Sequence, residues 1–377
     1  MNDLWIHVPT PGDHYSPMTG SALITIIHET SRAHENRGGR TRVVVGRGTR
    51  HDYPDDEHFE VDFGPQADKK QKIADAALGR LGLPRAFGPR QYAPLLEGVE
   101  RDFIGPLFVH NNPVALRLLA RERPRARVCL WANNEIWRPY GRAEMRRIER
   151  EVHRLICCSQ FIADQTNARL GFQSPKVKVV VSGVNTEKFV PRPELRDEQT
   201  PVILYAGRML EINGPHLLIE AAKNLGNRRF KLRIVGSRMF NPSEPLTEYE
   251  QKLRELAAPL GEKIEFVPSV DRFRMIEEYQ SASIFCAPAI WNEPLGLTIS
   301  EAMSCGLPTV TTRRGGIPES GAQAALYFEP ERPQTLVETL ADLLDHPEKR
   351  ALAGEKSRAR ALEISWENQY ETLKNAL

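Results

Sequence analysis

The chain has 377 residues, of which 41% are hydrophobic and 27% are charged, and its formal net charge is +2. This length predicts about two domains, each large enough to bury a core without disulfides or structural metal ions. The near balance of 51 basic and 49 acidic residues argues against a nucleic-acid-binding protein, because such proteins usually carry a basic excess.

Two features of the sequence bear on its compartment. The N-terminal residues lack a basic stretch followed by an apolar one, and no run of about 20 apolar residues occurs, so we expect neither a signal peptide nor a membrane-spanning helix. The cysteines form no CxxC pair, and we expect them to be buried free thiols of a cytoplasmic protein. They are Cys129, Cys157, Cys158, Cys286 and Cys305.

The first half of the chain alternates short apolar segments with amphipathic ones. The predicted strands are 4–8, 42–45, 107–110, 127–131, 155–158 and 178–181, and helices are predicted at 21–36, 114–122 and 142–153. Residues 55–98 are less regular and predict a helical insertion. Strands that alternate with helices indicate a parallel sheet covered by helices on both faces.

A segment rich in proline and charge, from Phe189 to Pro201, interrupts this alternation and is interpreted as a linker. The pattern then restarts, with strands predicted at 202–206, 232–235, 264–267, 284–287 and 309–312. The sequence therefore predicts an α/β protein with two doubly wound, Rossmann-like domains facing a central cleft. We expect these domains to span residues 1–195 and 196–361, with the helix 362–377 packing back on the first domain.

The segment that follows strand 284–287 carries the strongest chemical signal. A loop marked by Pro294 and Gly296 leads into a helix that Thr298 or Ser300 is expected to cap. The backbone N–H groups of Gly296, Leu297 and Thr298 would then lie at a helix N-terminus, where phosphate binds well. Two carboxylates, Glu293 and Glu301, flank this anion site and can accept hydrogen bonds from sugar hydroxyls.

At these residues the chain resembles the retaining glycosyltransferases of family 4, which have the two-domain GT-B fold. Their Glu-x7-Glu motif is matched by Glu293 and Glu301, and their Gly-Gly-x-Pro-Glu motif by Gly315-Gly-Ile-Pro-Glu319. The resemblance also covers Tyr205-Ala-Gly-Arg208, Ile234-Val-Gly236 and Ser365-Trp366. It implies that Glu293 contacts the transferred sugar and that Glu301 contacts the ribose hydroxyls.

The resemblance assigns further donor contacts in the second domain. Arg208 would hold the diphosphate and stabilise the leaving group. Family members generally have a lysine five residues later, where this chain has the neutral Asn213, and Arg238 is a candidate substitute. Val270 lies where the nucleotide base is bound by backbone groups, or in a plain strand-to-helix loop.

The motifs of the first domain leave more alternatives open. Gly20 and Ser21 stand in the place of a glycine-rich loop that reaches the donor phosphate, and they could equally form a turn and a helix cap. His110 ends a predicted strand and is a candidate catalytic residue. Asn133 stands where many relatives have a histidine near the sugar; it can bind a hydroxyl but cannot accept a proton. Glu135 is a candidate base or acceptor-binding group.

An arginine-rich helix is predicted at 141–154, and two interpretations of it remain open. It could contact an anionic membrane or an acidic acceptor. Alternatively, Glu144, Glu149 and Glu151 could pair with its arginines and leave a solvated, salt-bridged face.

The resemblance implies a metal-independent retaining glycosyltransferase that has no cofactor and uses a nucleotide-sugar co-substrate, first of all a UDP-sugar. Residues 196–361 would bind this donor and residues 1–195 the acceptor. The acceptor would be a hydroxyl group of a glycolipid, saccharide or small molecule, and the protein would be cytoplasmic, with a possible peripheral contact at the inner face of the membrane. The neutral Asn213 and Asn133 motivate an alternative, a nucleotide-sugar-binding protein with weak or no transfer activity. An epimerase or phosphorylase of the same fold is a third interpretation. An NAD enzyme is disfavoured because no GxGxxG follows the first strand.

Overall fold

The computed structural model describes residues 3–53, 56–238 and 245–377. The described strands are β1 Leu4–Val8, β2 Arg40–Gly46, β3 His58–Val61, β4 Pro106–His110, β5 Arg127–Ala132, β6 Arg154–Cys157, β7 Val177–Val179, β8 Val202–Ala206, β9 Lys231–Val235, β10 Ile264–Val267, β11 Ile284–Ala287, β12 Thr309–Thr311 and β13 Leu326–Tyr327. The described α-helices are α1 Ala22–Glu35, α2 Lys69–Arg80, α3 Leu95–Gly98, α4 Pro113–Glu122, α5 Arg142–Glu151, α6 Gln160–Leu170, α7 Pro215–Lys223, α8 Glu248–Ala257, α9 Arg272–Ser281, α10 Leu297–Ser304, α11 Ile317–Gly321, α12 Gln334–Asp345, α13 Pro347–Glu363 and α14 Trp366–Ala376.

The first sheet has seven parallel strands in the order β3-β2-β1-β4-β5-β6-β7. Its central strands are short and apolar, and β1 and β4 are buried along their whole length, as expected for strands covered on both faces. The predicted insertion contains β3, α2 and α3; its first residue, Asp55, lies outside the described residues.

The second sheet has six parallel strands in the order β10-β9-β8-β11-β12-β13. In both sheets the chain builds outward from its first strand and then returns to that strand's other side, which is the order of a doubly wound Rossmann-like sheet. The predicted α/β class with two such sheets is therefore confirmed.

The described chain packs as two units. One contains the chain up to Ser16, Ser21–Val181 and Gln369–Leu377, and the other contains Pro17–Gly20 and Ser182–Asn368. The predicted linker thus lies inside the second unit. The end of α14 belongs to the first unit, where the backbone oxygen of Ala376 accepts a hydrogen bond of 2.7 Å from Arg154 Nε.

All five cysteines are buried and free, as their apolar surroundings predict. Along the described ranges, no helix has the length and apolar character needed to cross a bilayer.

The interpretation of α5 as a salt-bridged face is wrong, because its glutamates find partners outside the helix. Glu144 is buried and accepts two hydrogen bonds from Arg85. Glu149 is buried and accepts from the Ser174 hydroxyl, and Glu151 pairs with Arg117. The arginines of α5 are therefore not neutralised by the glutamates of their own helix.

Candidate functional site

The candidate site lies at the carboxyl edge of the second sheet, where the strand order reverses. Strands β8 and β11 are neighbours there, yet they are followed in the chain by connections that run in opposite directions across the sheet. Arg208 follows β8, and Glu293 lies in the loop after β11. Ligands of doubly wound sheets bind at this kind of position.

Helix α10 begins at the end of the same loop. Gly296 is its N-cap, with φ of 87°, and no side chain caps the helix, so the expected cap by Thr298 or Ser300 is wrong. The amides of Leu297 and Thr298 belong to the first helical turn, in which N–H groups lack intrahelical acceptors. A helix N-terminus with no side-chain cap attracts anions through these amides and the helix dipole.

The backbone around Glu293 is held by its own loop and by the loop after β12. The Glu293 amide donates to Trp291 O at 2.9 Å, and the Gly316 amide donates to Glu293 O at 2.7 Å. The Gly-Gly-x-Pro-Glu motif therefore fixes the position of the first glutamate of the Glu-x7-Glu motif.

Three glycines let the loops of this edge meet through their backbones. A Cβ atom on Gly214 would collide with Pro288 O, one on Gly236 with Gly207 O, and one on Gly315 with Glu293 O. All three have positive φ angles, of 74°, 134° and 58° respectively, which glycine adopts at little cost. These positions require glycine for close approach as well as for backbone conformation.

The ionisation of Glu293 is shifted by its surroundings. Burial raises the pKa of its carboxyl to about 7, while a hydrogen bond from the Leu295 amide and the positive charge of Arg208 act in the opposite direction. Burial removes the water that would stabilise the ionised form of this carboxyl. Hydrogen bonds from hydroxyl groups, or a positive charge that develops nearby, would stabilise that form instead.

Glu293→Gln is expected to stabilise the protein without nucleotide near pH 8 and to have little effect near pH 5. The folded protein keeps the carboxyl proton up to about pH 7, whereas the unfolded chain releases it near the ordinary value of 4.5. The free energy of unfolding of the wild type therefore falls as pH rises through this window, by about 3 kcal/mol in all. The neutral glutamine avoids this loss.

Melting temperatures of the wild type and Glu293→Gln at the two pH values measure this effect. Glu277→Gln, at an exposed position of α9, is the matched control. An equal shift of melting temperature for Glu293→Gln at both pH values would contradict the raised pKa.

Glu301 lies on α10, is 5% exposed, and has partners for both carboxylate oxygens. Arg272 Nη1 lies 2.8 Å from its Oε1, and the Tyr279 hydroxyl donates to its Oε2 at 3.1 Å. Arg272 and Tyr279 hold the second motif glutamate in one orientation, and the sequence analysis missed both. They lie on α9, and only the sheet topology brings that helix next to α10.

The Arg208 side chain is exposed, and among the described residues no carboxylate forms an ion pair with it. Its backbone oxygen accepts hydrogen bonds of 2.9 Å from the Tyr205 hydroxyl and from Asn213 Nδ2. Asn213 thus stabilises the turn that carries Arg208, but its neutral side chain adds no positive charge to the site.

The remaining candidates of the second unit lie in neighbouring loops. Val270 is in the loop between β10 and α9, where its side chain packs against the core. In the same loop, the Ser269 amide donates to the Ser237 hydroxyl at 3.2 Å. Arg238 is exposed, and its amide donates to Glu250 Oε1 at 2.9 Å.

In the first unit, His110 is part of a buried pair of rings. Its Nε2 lies 3.0 Å from Nδ1 of His7, and both side chains are fully buried. Burial lowers the pKa of His110 to about 3, so the ring is neutral. As placed, it is enclosed in the core where β1 meets β4, and the pairing with His7 was not predicted.

The other candidates of the first unit are engaged locally. The Asn133 amide donates to Asn111 Oδ1 at 2.7 Å, which joins the ends of β5 and β4. Glu135 is exposed and accepts from Gln165 at 2.8 Å. The Ser21 hydroxyl accepts from the Ile24 amide and caps α1, while Gly20 belongs to the second unit.

Known proteins resemble this chain in sequence and in fold. Residues 186–360 match the family model described as Glycosyl transferases group 1, and residues 25–188 match the one described as Glycosyltransferase Family 4. The chain is similar to Spore coat protein SA of Bacillus subtilis, with 28% identity over 70% of this chain and 76% of that protein. It is 32% identical to the GDP-mannose-dependent monoacylated alpha-(1-6)-phosphatidylinositol monomannoside mannosyltransferase of Corynebacterium glutamicum, over 63% of this chain and 65% of that protein.

Among solved structures, the chain is similar to Anabaena Alr3699/HepE in complex with UDP and glucose. The TM-score is 0.73 and the identity 15%, with 98% of each chain covered, so this likeness bears on the fold alone. The fold is GT-B, with two Rossmann-like domains. The two family models together reach from residue 25 to residue 360, and the chain belongs to the family 4 glycosyltransferases.

Proposed function

We propose that this glycosyltransferase moves a sugar from a nucleotide-sugar donor, first of all a UDP-sugar, to a hydroxyl group of its acceptor with retention of configuration. One observation carries the proposal: Glu293, Arg208 and the uncapped N-terminus of α10 all lie at the carboxyl edge of β8 and β11. This arrangement combines an anion site with a hydroxyl-accepting carboxylate, as a nucleotide sugar requires.

The donor would be bound through its three parts. Its diphosphate would accept hydrogen bonds from the amides of Gly296, Leu297 and Thr298 and would pair with Arg208. The transferred sugar would donate hydroxyl hydrogen bonds to Glu293. The ribose would do the same to Glu301, whose carboxylate keeps acceptor capacity beyond its two partners.

In the reaction, the bond between the anomeric carbon and the phosphate oxygen breaks, and the acceptor oxygen bonds to the same face of the sugar. The leaving phosphate oxygen takes the acceptor's hydroxyl proton. Arg208 and the α10 amides stabilise the negative charge that develops on the diphosphate. Because these groups supply the positive charge, we propose that the reaction needs neither a metal ion nor a cofactor.

The acceptor would belong to polysaccharide, glycolipid or secondary-metabolite biosynthesis. The name of the Corynebacterium glutamicum mannosyltransferase contains both GDP-mannose and a monoacylated phosphatidylinositol monomannoside, and the Anabaena structure contains UDP and glucose. We place the protein in the cytoplasm, in peripheral contact with the inner face of the membrane.

A second candidate function is nucleotide-sugar binding without transfer. One observation favours it: the neutral Asn213 side chain binds the backbone oxygen of Arg208. The site therefore has one cation fewer for the diphosphate than family members have. The two functions share the donor site and differ only in whether a product forms.

A thermal-shift screen of UDP, GDP, ADP and TDP and their sugars tests the donor. We expect the UDP compounds to raise the melting temperature most. The effect is measurable because a ligand at a hundred times its Kd adds about 2.7 kcal/mol to the free energy of unfolding. The shift should survive EDTA. Absence of any nucleotide-dependent shift would contradict a donor site.

The donor found in the screen is then followed by NMR, with candidate acceptors and with water. We expect transfer, or slow hydrolysis, that first releases the sugar with the anomeric configuration of the donor. Binding without any product would identify the second function, and an inverted product would contradict retention.

A further inference from the structure

We propose that the outer face of α2 and the turn after it form a docking surface for an anionic lipid bilayer. This surface, the α2 face, consists of Lys69, Lys70, Ile73, Arg80, Leu81 and Leu83. This proposal rests on the membrane contact proposed above and identifies the surface that makes it. The α2 face lies within the first unit, and its binding to vesicles can be measured without any sugar transfer.

Helical geometry places the cations and the apolar groups on one side of α2. Lys69, Ile73 and Arg80 are separated by four and seven residues, a spacing that aligns side chains along a single helix face. All three are exposed. The opposite side of the helix is buried at Asp75 and Gly79.

The apolar part of the surface is large for an exposed helix. Ile73 is 61% exposed, Leu81 76% and Leu83 48%. A single exposed aliphatic side chain needs no explanation, but three of them on one helix face and the turn that follows form a local patch.

The charge of this segment is positive throughout its exposed part. Lys69, Lys70, Lys72 and Arg80 are exposed, and no described residue forms an ion pair with any of them. The single acid between Lys69 and Leu83 is Asp75. Its buried carboxylate accepts the backbone N–H groups of the turn after the helix, those of Ala86, Phe87 and Gly88.

Helix α5 extends the positive surface beyond the end of α2. Gly82 lies beside Ala143 and Arg147 of α5, since a Cβ atom there would be 3.8 Å from the Arg147 guanidinium. The neighbouring Glu144 is buried and bound to Arg85. Arg147 of α5 therefore adds to the charge of the α2 face.

The combination of cations and aliphatic side chains selects the partner. Cations alone could bind any polyanion. The exposed side chains of Ile73, Leu81 and Leu83, however, would bury no apolar surface against a fully hydrated polyanion. At the surface of an anionic bilayer the aliphatic groups enter the acyl boundary while the lysines and arginines stay with the phosphate headgroups. Each cation near such a surface contributes about 1 kcal/mol, a factor of about five in partition.

Co-sedimentation of the full chain with phosphatidylcholine vesicles, with and without phosphatidylglycerol, tests the proposal. We expect binding to the anionic vesicles that weakens as salt is added. Lys70→Gln/Arg80→Gln should lower the partition about twenty-five-fold, and Ile73→Ser/Leu81→Ser should lower it on the same vesicles. The matched control is Arg229→Gln/Lys356→Gln, which removes two exposed cations of the second unit and should lower the partition far less.

Circular dichroism and the melting temperature of each variant verify folding, and the nucleotide-induced thermal shift should be unchanged in all of them. Equal binding to neutral and anionic vesicles, or an equal loss in the α2 and control variants, would overturn the proposal. So would tight binding to heparin without binding to vesicles, or no effect of Ile73→Ser/Leu81→Ser. Failure of transfer alongside intact vesicle binding would count against the proposed reaction and leave the docking surface standing.

Discussion

Glu293→Ala is expected to lower kcat/KM for sugar transfer at least tenfold. The side chain lies beside Arg208 at the edge of the second sheet, and burial raises the pKa of its carboxyl to about 7. In the proposed reaction, it accepts hydrogen bonds from sugar hydroxyls, orients the donor and interacts with the positive charge that develops at the anomeric carbon. The measurement is steady-state transfer, or donor hydrolysis, with the donor identified by thermal shift.

Glu293→Gln separates charge from hydrogen bonding, because it keeps one acceptor oxygen and loses the negative charge. Near-wild-type rates in Glu293→Ala would refute the assignment of the site. Glu301→Ala should also cost tenfold or more, but it breaks the ion pair with the largely buried Arg272, and breaking a buried pair can destabilise a protein by about 3 kcal/mol. Arg272→Met/Glu301→Ala removes both charges of this pair and separates lost donor binding from lost stability.

Arg208→Ala is expected to lower kcat/KM about a hundredfold, which corresponds to about 2.7 kcal/mol of transition-state stabilisation. The guanidinium is exposed and forms no ion pair with any described residue. Asn213, where family members have a second cation, instead binds the backbone of Arg208. A single side-chain cation at this turn should therefore carry most of the charge stabilisation of the leaving diphosphate.

Two comparisons make the Arg208 result specific. Arg208→Lys keeps the charge but loses the bidentate geometry, so its rate should fall between those of the wild type and Arg208→Ala. Arg238→Ala tests the other exposed cation and should have little effect. If Arg208→Ala is nearly unchanged and Arg238→Ala is strongly impaired, Arg238 is the diphosphate cation.

Much of the fold could be predicted from local pattern alone. The predicted strands 4–8, 202–206, 264–267 and 284–287 match β1, β8, β10 and β11 in their bounds, because buried parallel strands are continuous apolar segments between turn residues. Strands β3 and β13 were missed. β3 lies at the edge of its sheet and is polar, with His58 and Glu60 exposed, and β13 has only two residues.

The parts of the site that escaped prediction depend on distant neighbours. Glu293 and Glu301 could be proposed because seven residues separate them around a helix start, but Arg272 reaches Glu301 from another helix. The pairing of His7 with His110 joins residues 103 positions apart. The cap of α10 was mispredicted because Gly296 has a positive φ angle, so the chain enters the helix without a capping side chain.

The contacts of Gly214, Gly236 and Gly315 determine how the proposed donor site can change. Each of them meets a backbone oxygen of another loop, so the rim of the site is made of main chain and tolerates no larger residue at these points. In a library that randomises every loop position, most variants would carry a larger residue at one of these three glycines and would disrupt the site. Ser269 is a better position at which to vary the proposed donor preference, because none of these three backbone contacts involves it.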